Sequence, residues 1–268
     1  MGAPPEDPGS LNLIAFNRAL TRWASKGELA EAGGAVLCAG GSWIPVVANS
    51  AFRTDASVPA VDLVAQADAF FGSLARGFSV KVRDTGADDD LRQACAAAGM
   101  EPFGAPVPEM LCRAPLPDLD PPDGVSVSLV DDEAGVLAFC AVNGEAYATY
   151  GMPTDVMGDL FDRTDVLLAD PQAHIVVARR GEVPVATAMI FESDGVASVQ
   201  WVGTVPAARG QGLGALVTTA VTNLAFARGA ASVTLQASPM GEPVYRALGY
   251  EPIYRYIEWV RWPTPPRG

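Results

Sequence analysis

The sequence predicts an α/β (α+β) protein: a mixed, mostly antiparallel twisted sheet flanked by helices, arranged as two tandem domains. Three observations carry this. The chain has 268 residues, enough for two domains of about 100 to 150 residues each. A Pro- and Asp-rich segment at 114–124, APLPDLDPPDG, has no apolar periodicity and divides the chain. Pro removes backbone donors and fixes φ, so this stretch reads as an extended linker. The elements after it run β, α, α, β, β, β, α, β, α, β, and those before it end in the same helix, strand, helix, strand order. The expected organisation is a first domain over 1–113, the linker over 114–124 and a second domain over 125–268, related by an internal duplication.

In the first half, Leu13, Phe16, Leu20 and Trp23 recur at helical spacing and predict a helix over 11–30. AVLCA from Ala35 and WIPVVA from Trp43 read as strands joined through Gly40 and Gly41. A helix over 61–75 and a strand FSVKV from Phe78 follow. A helix over 88–98 carries acids in its first turn and Gly99 just past its end. EMLCRA from Glu109 is the last strand before the linker.

In the second half, VSVSLV from Val125 is a strand. A helix over 131–147 is capped by Asp131, and a short one over 154–161 by Thr154. Three strands then follow in succession: HIVVARR, PVATAMIFE and VASVQWVGTV. Arg180–Gly181–Glu182 and Asp194–Gly195 make their turns, the latter a strong hairpin signal. A glycine-rich turn leads into a helix over 212–228. ASVTLQAS is a strand, a helix over 242–248 ends at Gly249, and YRYIEWVRW from Tyr254 closes the chain.

Composition narrows the function. Hydrophobic residues are 49% and charged residues 18% of the chain, which suffices for a substantial core and excludes wholesale disorder. The net charge is −13, and a surface this acidic repels phosphate backbones and anionic lipid heads. No nucleic-acid or membrane partner is expected. Cys38, Cys95, Cys112 and Cys140 form no C-x-x-C pair and lie far in sequence from the lone His174, so no metal site is expected. The start, MGAPPEDPGSLNLIAF, lacks the basic and apolar regions of a signal peptide. No stretch reaches the ~18 apolar residues of a spanning helix. A cytoplasmic location is the expectation.

The informative stretch is VGTVPAARGQGLGALV over 202–217. It leaves a strand, passes Pro206 and Arg209, and enters a helix through Gly210, Gly212 and Gly214. Without Cβ the backbone can approach an anion, and successive N–H groups can point into one concavity. The first helical turn adds unpaired donors and the positive end of its dipole. The pattern differs from a dinucleotide fingerprint: the glycines follow the third strand of a meander, and no acid ends the next strand.

With strand, R-G-Q-G-L-G and helix in place, the stretch resembles the acetyl-CoA-binding motif of the GNAT superfamily of N-acetyltransferases, in Arg209, Gly212 and Gly214. PVYRALGY over 243–250 resembles the family's Tyr-x-x-x-Gly helix. The resemblance covers about residues 120–262. It implies a tandem GNAT protein with a degenerate first copy, because the first half has no such glycine turn. It implies acetyl-CoA as cosubstrate, held by Val202, Gly203, Thr204, Arg209, Gly210, Gln211, Gly212, Leu213, Gly214, Ala215 and Ser238. It implies an N-acetyltransferase working by direct attack in a ternary complex, with Tyr245 as general acid toward the leaving sulfur. The acceptor would be a small-molecule or peptide amine, with Tyr147, Tyr150, Met152 and Met157 lining its entrance.

The general base does not carry over. Ser198 and Val233 stand where relatives carry a glutamate; Glu145 and Glu192 are weak candidates. Along VASVQWVGTV, alternation puts Val199, Trp201, Gly203 and Val205 on one face and Ser198, Gln200, Val202 and Thr204 on the other, toward the cleft. The missing base keeps open an alternative, a non-catalytic acyl-CoA-binding or regulatory protein. The first half should cover the second's sheet edge as a pseudo-dimer partner, giving a monomer or weak homodimer.

Overall fold

The computed structural model describes residues 7–263. The opening residues 1–6, part of the segment read above for a leader, and residues 264–268 at the end of the second expected domain lie outside the described residues. The first half comprises α1 (Pro8–Trp23), β1 (Glu28–Ala32), β2 (Ala35–Ala39), the single turn α2 (Pro45–Ala48), β3 (Asn49–Arg53), α3 (Ala60–Ser73), β4 (Phe78–Arg83), α4 (Asp89–Ala97) and β5 (Glu101–Cys112). The second comprises β6 (Val125–Leu129), α5 (Glu133–Ala148), α6 (Val156–Leu160), α7 (Thr164–Leu168), β7 (Ala173–Arg180), β8 (Val183–Ser193), β9 (Val196–Thr204), α8 (Leu213–Ala227), β10 (Ser232–Gln236), α9 (Glu242–Leu248) and β11 (Glu251–Arg261).

The eleven strands among the described residues form one sheet in the order β1-β2-β3-β4-β11-β5-β10-β9-β8-β7-β6. The pairing repeats. β1, β2 and β3 are antiparallel neighbours and β3–β4 is parallel; β7, β8 and β9 are antiparallel neighbours and β9–β10 is parallel. The last strand of each half then crosses over. β5 pairs with β10 of the second half, β11 pairs with β4 of the first, and the two pair with each other. The halves therefore share a sheet by exchanging strands, where the sequence suggested only edge packing.

The duplication also appears in a motif that element order alone did not expose. Gly99-Met100-Glu101-Pro102 after α4 repeats as Gly249-Tyr250-Glu251-Pro252 after α9. Both glycines are left-handed, with φ of 73° and 106°. Four residues before each sits Cys95 in the first copy and Tyr245 in the second. The first copy thus lacks the tyrosine as well as the glycine turn.

Helices cover both faces. α3 and α4 pack on one face of the first half, in a core with Leu63, Phe71, Phe78 and Val80. α8 and α9 cover the same face of the second half over Met110, Val199, Val217 and Leu235. α1, α5, α6 and α7 cover the opposite face, where Phe16, Leu20 and Trp23 of α1 pack on Phe161, Phe191 and Trp201. Helix α1 belongs to the first half by sequence, yet Asn12 donates to the carbonyls of Phe191 and Val196 in the second. The linker is docked as well: Asn223 of α8 exchanges hydrogen bonds of 2.8 and 2.9 Å with the backbone of Leu116.

Several local expectations are corrected. The first helix ends at Trp23, and ELAEA is the exposed edge strand β1 despite its helix-forming composition. WIPVVA is not a strand: Val47 has φ of 86°, and the strand begins at Asn49. Asp132, not Asp131, caps α5 by accepting from the Gly135 N–H at 2.8 Å. Thr154 does not cap α6, whose N-cap position is Asp155.

Candidate active site

The site forms where β9 and β10 part. They pair from Ser232 opposite Val196 to Leu235 opposite Val199, and no pairing continues beyond. At the same level β9 bulges. Thr187 of β8 faces Gly203 while Met189 faces Gln200, so the β9 side has an extra residue. Trp201 carries φ of 53° there. A bulge leaves the extra residue out of the ladder and turns its backbone groups aside.

The bulge corrects the predicted alternation. Val199 lies in the core under α8, but Trp201 lies on the opposite face, against Tyr147 at 5.5 Å and Phe161 at 5.7 Å between ring centres. Gly203 follows Trp201 to that face, since a Cβ there would lie 2.5 Å from Asn143 Oδ1 of α5. Val202 packs on the α8 side, and Thr204 sits 3.6 Å from the position of a Cβ on Gly214.

Beyond β9, a short 3-10 turn at Pro206–Ala208 leads to the glycines. Gly210 and Gly212 have φ of 75° and 77°, and added Cβ atoms would meet nothing within 4 Å. Gly212 is the N-cap of α8 and offers no side-chain cap to its first turn. The N–H groups of Leu213, Gly214 and Ala215 begin this helix. Open space, uncapped donors and the positive dipole end fit a phosphate anion.

Arg209 is held by bonds within the fold. Its guanidinium donates to the Ala146 carbonyl at 3.0 Å, the Thr149 hydroxyl at 3.2 Å and the Thr204 carbonyl at 3.3 Å. It ties the end of α5 to the end of β9. Gln211 accepts a hydrogen bond from Arg180 at the end of β7, which brings a second guanidinium to the loop.

Tyr245 is 9% exposed on α9, and burial pushes its phenol up to about 12, with Tyr150 nearby adding to the rise. Ser238 accepts from the Gly241 N–H at 3.1 Å and from the Tyr150 hydroxyl at 3.4 Å. The Tyr147 hydroxyl donates to the Val202 carbonyl at 3.4 Å. Tyr150 is exposed at the rim, and Met152 packs on the α5–α6 core. Met157 is wholly buried and lines no entrance.

Of the two weak base candidates, Glu192 lies away from the cleft. Glu145 is exposed on α5. Glu192 sits by the β8–β9 hairpin, at the other end of β9, with its carboxylate on Arg228 at 3.0 and 3.1 Å. Sequence reasoning passed over Glu109, which the strand exchange carries from the first half to a buried position beside β10. The signal available for it was its place in the repeated G-x-E-P strand.

Residues 138–250 match the acetyltransferase (GNAT) family model, a stretch that includes the bulge, the glycine turn and Tyr245. All of this match lies in the second half of the chain. A mycothiol acetyltransferase from Thermomonospora curvata is 28% identical over 157 residues, which is 57% of this chain and 52% of that protein. The match therefore spans about half the length of this curated relative. The fold resembles a GCN5-related N-acetyltransferase from Kribbella flavida, with a TM-score of 0.69, 24% identity, and coverage of 97% of this chain and 95% of that one. It also resembles a tandem GNAT protein from the clavulanic acid biosynthesis pathway, with a TM-score of 0.62, 16% identity and coverage of 99% and 98%. The chain accordingly shares the fold of these structures over nearly its whole length, and its first half lacks both the glycine turn and the tyrosine. Among the described residues no cluster of ligating side chains suits a metal, and no helix is long and apolar enough to cross a membrane.

Proposed function

We propose that the protein transfers an acetyl group from acetyl-CoA to an amine of a small molecule or peptide, by direct attack in a ternary complex. The observation that carries this is the bulge in β9 running into the uncapped glycine N-terminus of α8, within the family-matched segment. The N–H groups over 210–215 receive the pyrophosphate. Val202, Gly203 and Thr204 run beside the pantetheine arm, and Ser238 borders it. A backbone N–H at the bulge polarises the thioester carbonyl as the oxyanion develops. Holding both substrates in one cleft supplies much of the rate. Tyr245 gives its proton to the departing sulfur: it keeps that proton at neutral pH, and a phenol hydroxyl reorients readily.

The catalytic unit is residues 125–268, joined through 114–124 to the degenerate unit 1–113, and the chain works as a monomer or weak homodimer. The acidic chain takes neither nucleic acid nor a membrane surface as partner. The test is thermal unfolding with and without acetyl-CoA, with NAD as control. A ligand at a hundred times its Kd stabilises the folded state by roughly 2.7 kcal/mol. A rise with acetyl-CoA alone is expected; no rise with either reduces the reading to a fold.

A further inference from the structure

The two copies place a glutamate at the same point of the exchanged strands. Glu109 of β5 begins Glu-Met-Leu-Cys-Arg and Glu258 of β11 begins Glu-Trp-Val-Arg-Trp, each following a G-x-E-P turn. Both are buried, at 2% and 8% exposure. Their cross-strand partners differ. Glu258 faces Lys81 of β4 and holds its ammonium at 3.1 Å. Glu109 faces Gln236 of β10, a neutral amide.

The surroundings of Glu109 hold no free cation among the described residues. Tyr254 and Tyr256 of β11, Thr234 and Gln236 of β10, Ser10 at the start of α1 and Asp7 before it lie about this face. Lys81 is committed to Glu258, and Arg83 to Asp7 and Asp88. Gly9 brings the first turn of α1 so close that a Cβ would sit 2.7 Å from Glu109 Oε1. The other oxygen, Oε2, is buried with no hydrogen-bond partner. Glu109 lies on the sheet face that carries Ser198, Gln200, Thr234 and Gln236. Here β9 and β10 part, and Gln200 and Gln236 are both half-buried.

We propose that Glu109, contributed by the degenerate half, is the carboxylate that receives the ammonium of the acceptor amine and takes its proton. The acceptor is then a primary amine that arrives as a cation and fills the place that Lys81 fills in the other copy. This rests on the acetyltransferase reading. The proton on the ammonium passes to Glu109, and the freed nitrogen lone pair forms the C–N bond at the thioester carbon. The C–S bond breaks as Tyr245 protonates the sulfur. The phenolate recovers the second nitrogen proton, and Glu109 returns its own to solvent. Before the amine arrives, burial and Asp7 hold the Glu109 carboxyl up at about 8, against the smaller pull of Thr234, Gln236 and Lys81.

The test is calorimetric titration of the full chain with phenethylamine, chosen for the Tyr147–Trp201 wall, in two neutral buffers of different ionisation enthalpy. Phenethyl alcohol is the uncharged control. The wild-type chain should bind the amine and release about one proton, because the ammonium drives Glu109 into its anionic form. Glu109→Gln should release none and bind at least about tenfold more weakly. Gln236→Lys, which supplies the ammonium internally, should behave the same way and serves should Glu109→Gln not fold. Binding without proton release, equal affinity in wild type and both variants, or no preference for the amine over the alcohol overturns the assignment. The acetyl-CoA thermal shift is read on the same samples. Its absence with proton release intact sinks the acetyltransferase reading and leaves the Glu109 site standing.

Discussion

The guanidinium of Arg209 donates to the Ala146 carbonyl at 3.0 Å, closing the end of α5 onto the turn that precedes α8. In the family motif this arginine reads as a charge for a phosphate; in this fold it also braces the loop. Arg209→Ala should lower stability by about 1.5–3 kcal/mol, the range for hydrogen bonds to a charged group. The acetyl-CoA thermal shift should shrink too. Denaturant unfolding with and without acetyl-CoA measures both, and an unchanged shift assigns Arg209 to bracing alone.

Gly212 is left-handed at φ of 77° in open space, so only its backbone geometry demands glycine. Gly212→Ala should cost about 1–2 kcal/mol from left-handed strain. It should weaken acetyl-CoA further by disturbing the first-turn donors. A variant that melts like wild type contradicts the strain argument.

Tyr245→Phe keeps the ring packing on Tyr250, with centroids at 6.2 Å, and removes only the hydroxyl. Turnover should fall about 10²–10⁴-fold, the usual contribution of a positioned acid. The acetyl-CoA thermal shift should persist. Thiol release with an amine panel measures the first, and full turnover in the variant removes Tyr245 from the mechanism.

Lys81 and Glu258 are both largely buried, at 14% and 10% side-chain exposure. Lys81→Met strands the carboxylate and should destabilise by about 3–5 kcal/mol. Adding Glu258→Leu should recover much of that loss. Urea midpoints of wild type and the two variants decide it, and three equal midpoints mean the pair is energetically idle.

Burial raises the Glu109 carboxyl from 4.5 in an unfolded chain to about 8. Between those values the folded chain holds a proton that the unfolded chain has lost, so this group's contribution to stability falls as pH rises. The decline is complete above about 8. Glu109→Gln should flatten that slope, gaining on wild type toward alkaline pH. Parallel pH profiles of the melting midpoints contradict it.

Much of the second half was legible because its signals are local. The Asp194–Gly195 turn has both residues at positive φ, and Gly210 and Gly212 sit where only such a backbone passes. The bulge was not legible. Alternation assumes an unbroken ladder, and nothing in Gln200-Trp201-Val202 announces an extra residue. β1 was hidden because Glu-Leu-Ala-Glu-Ala favours helix alone, and pairing with β2 overrides that preference. The strand exchange was invisible for a different reason. Either closing strand could lie beside either inner strand, and propensity does not distinguish the two arrangements. The candidate base was missed with it, because Glu109 reaches the second half only through that exchange.

The exchange sets an order for synthesis. When the first half leaves the ribosome, β4 and β5 lack the strand that belongs between them, and both present unpaired backbone edges. That slot stays open until β11, which follows every other described strand in the chain, arrives to fill it. Such edges recruit foreign strands. A nascent chain stalled before Glu251 should therefore be the species most in need of a chaperone, and the one most prone to join a second copy of itself.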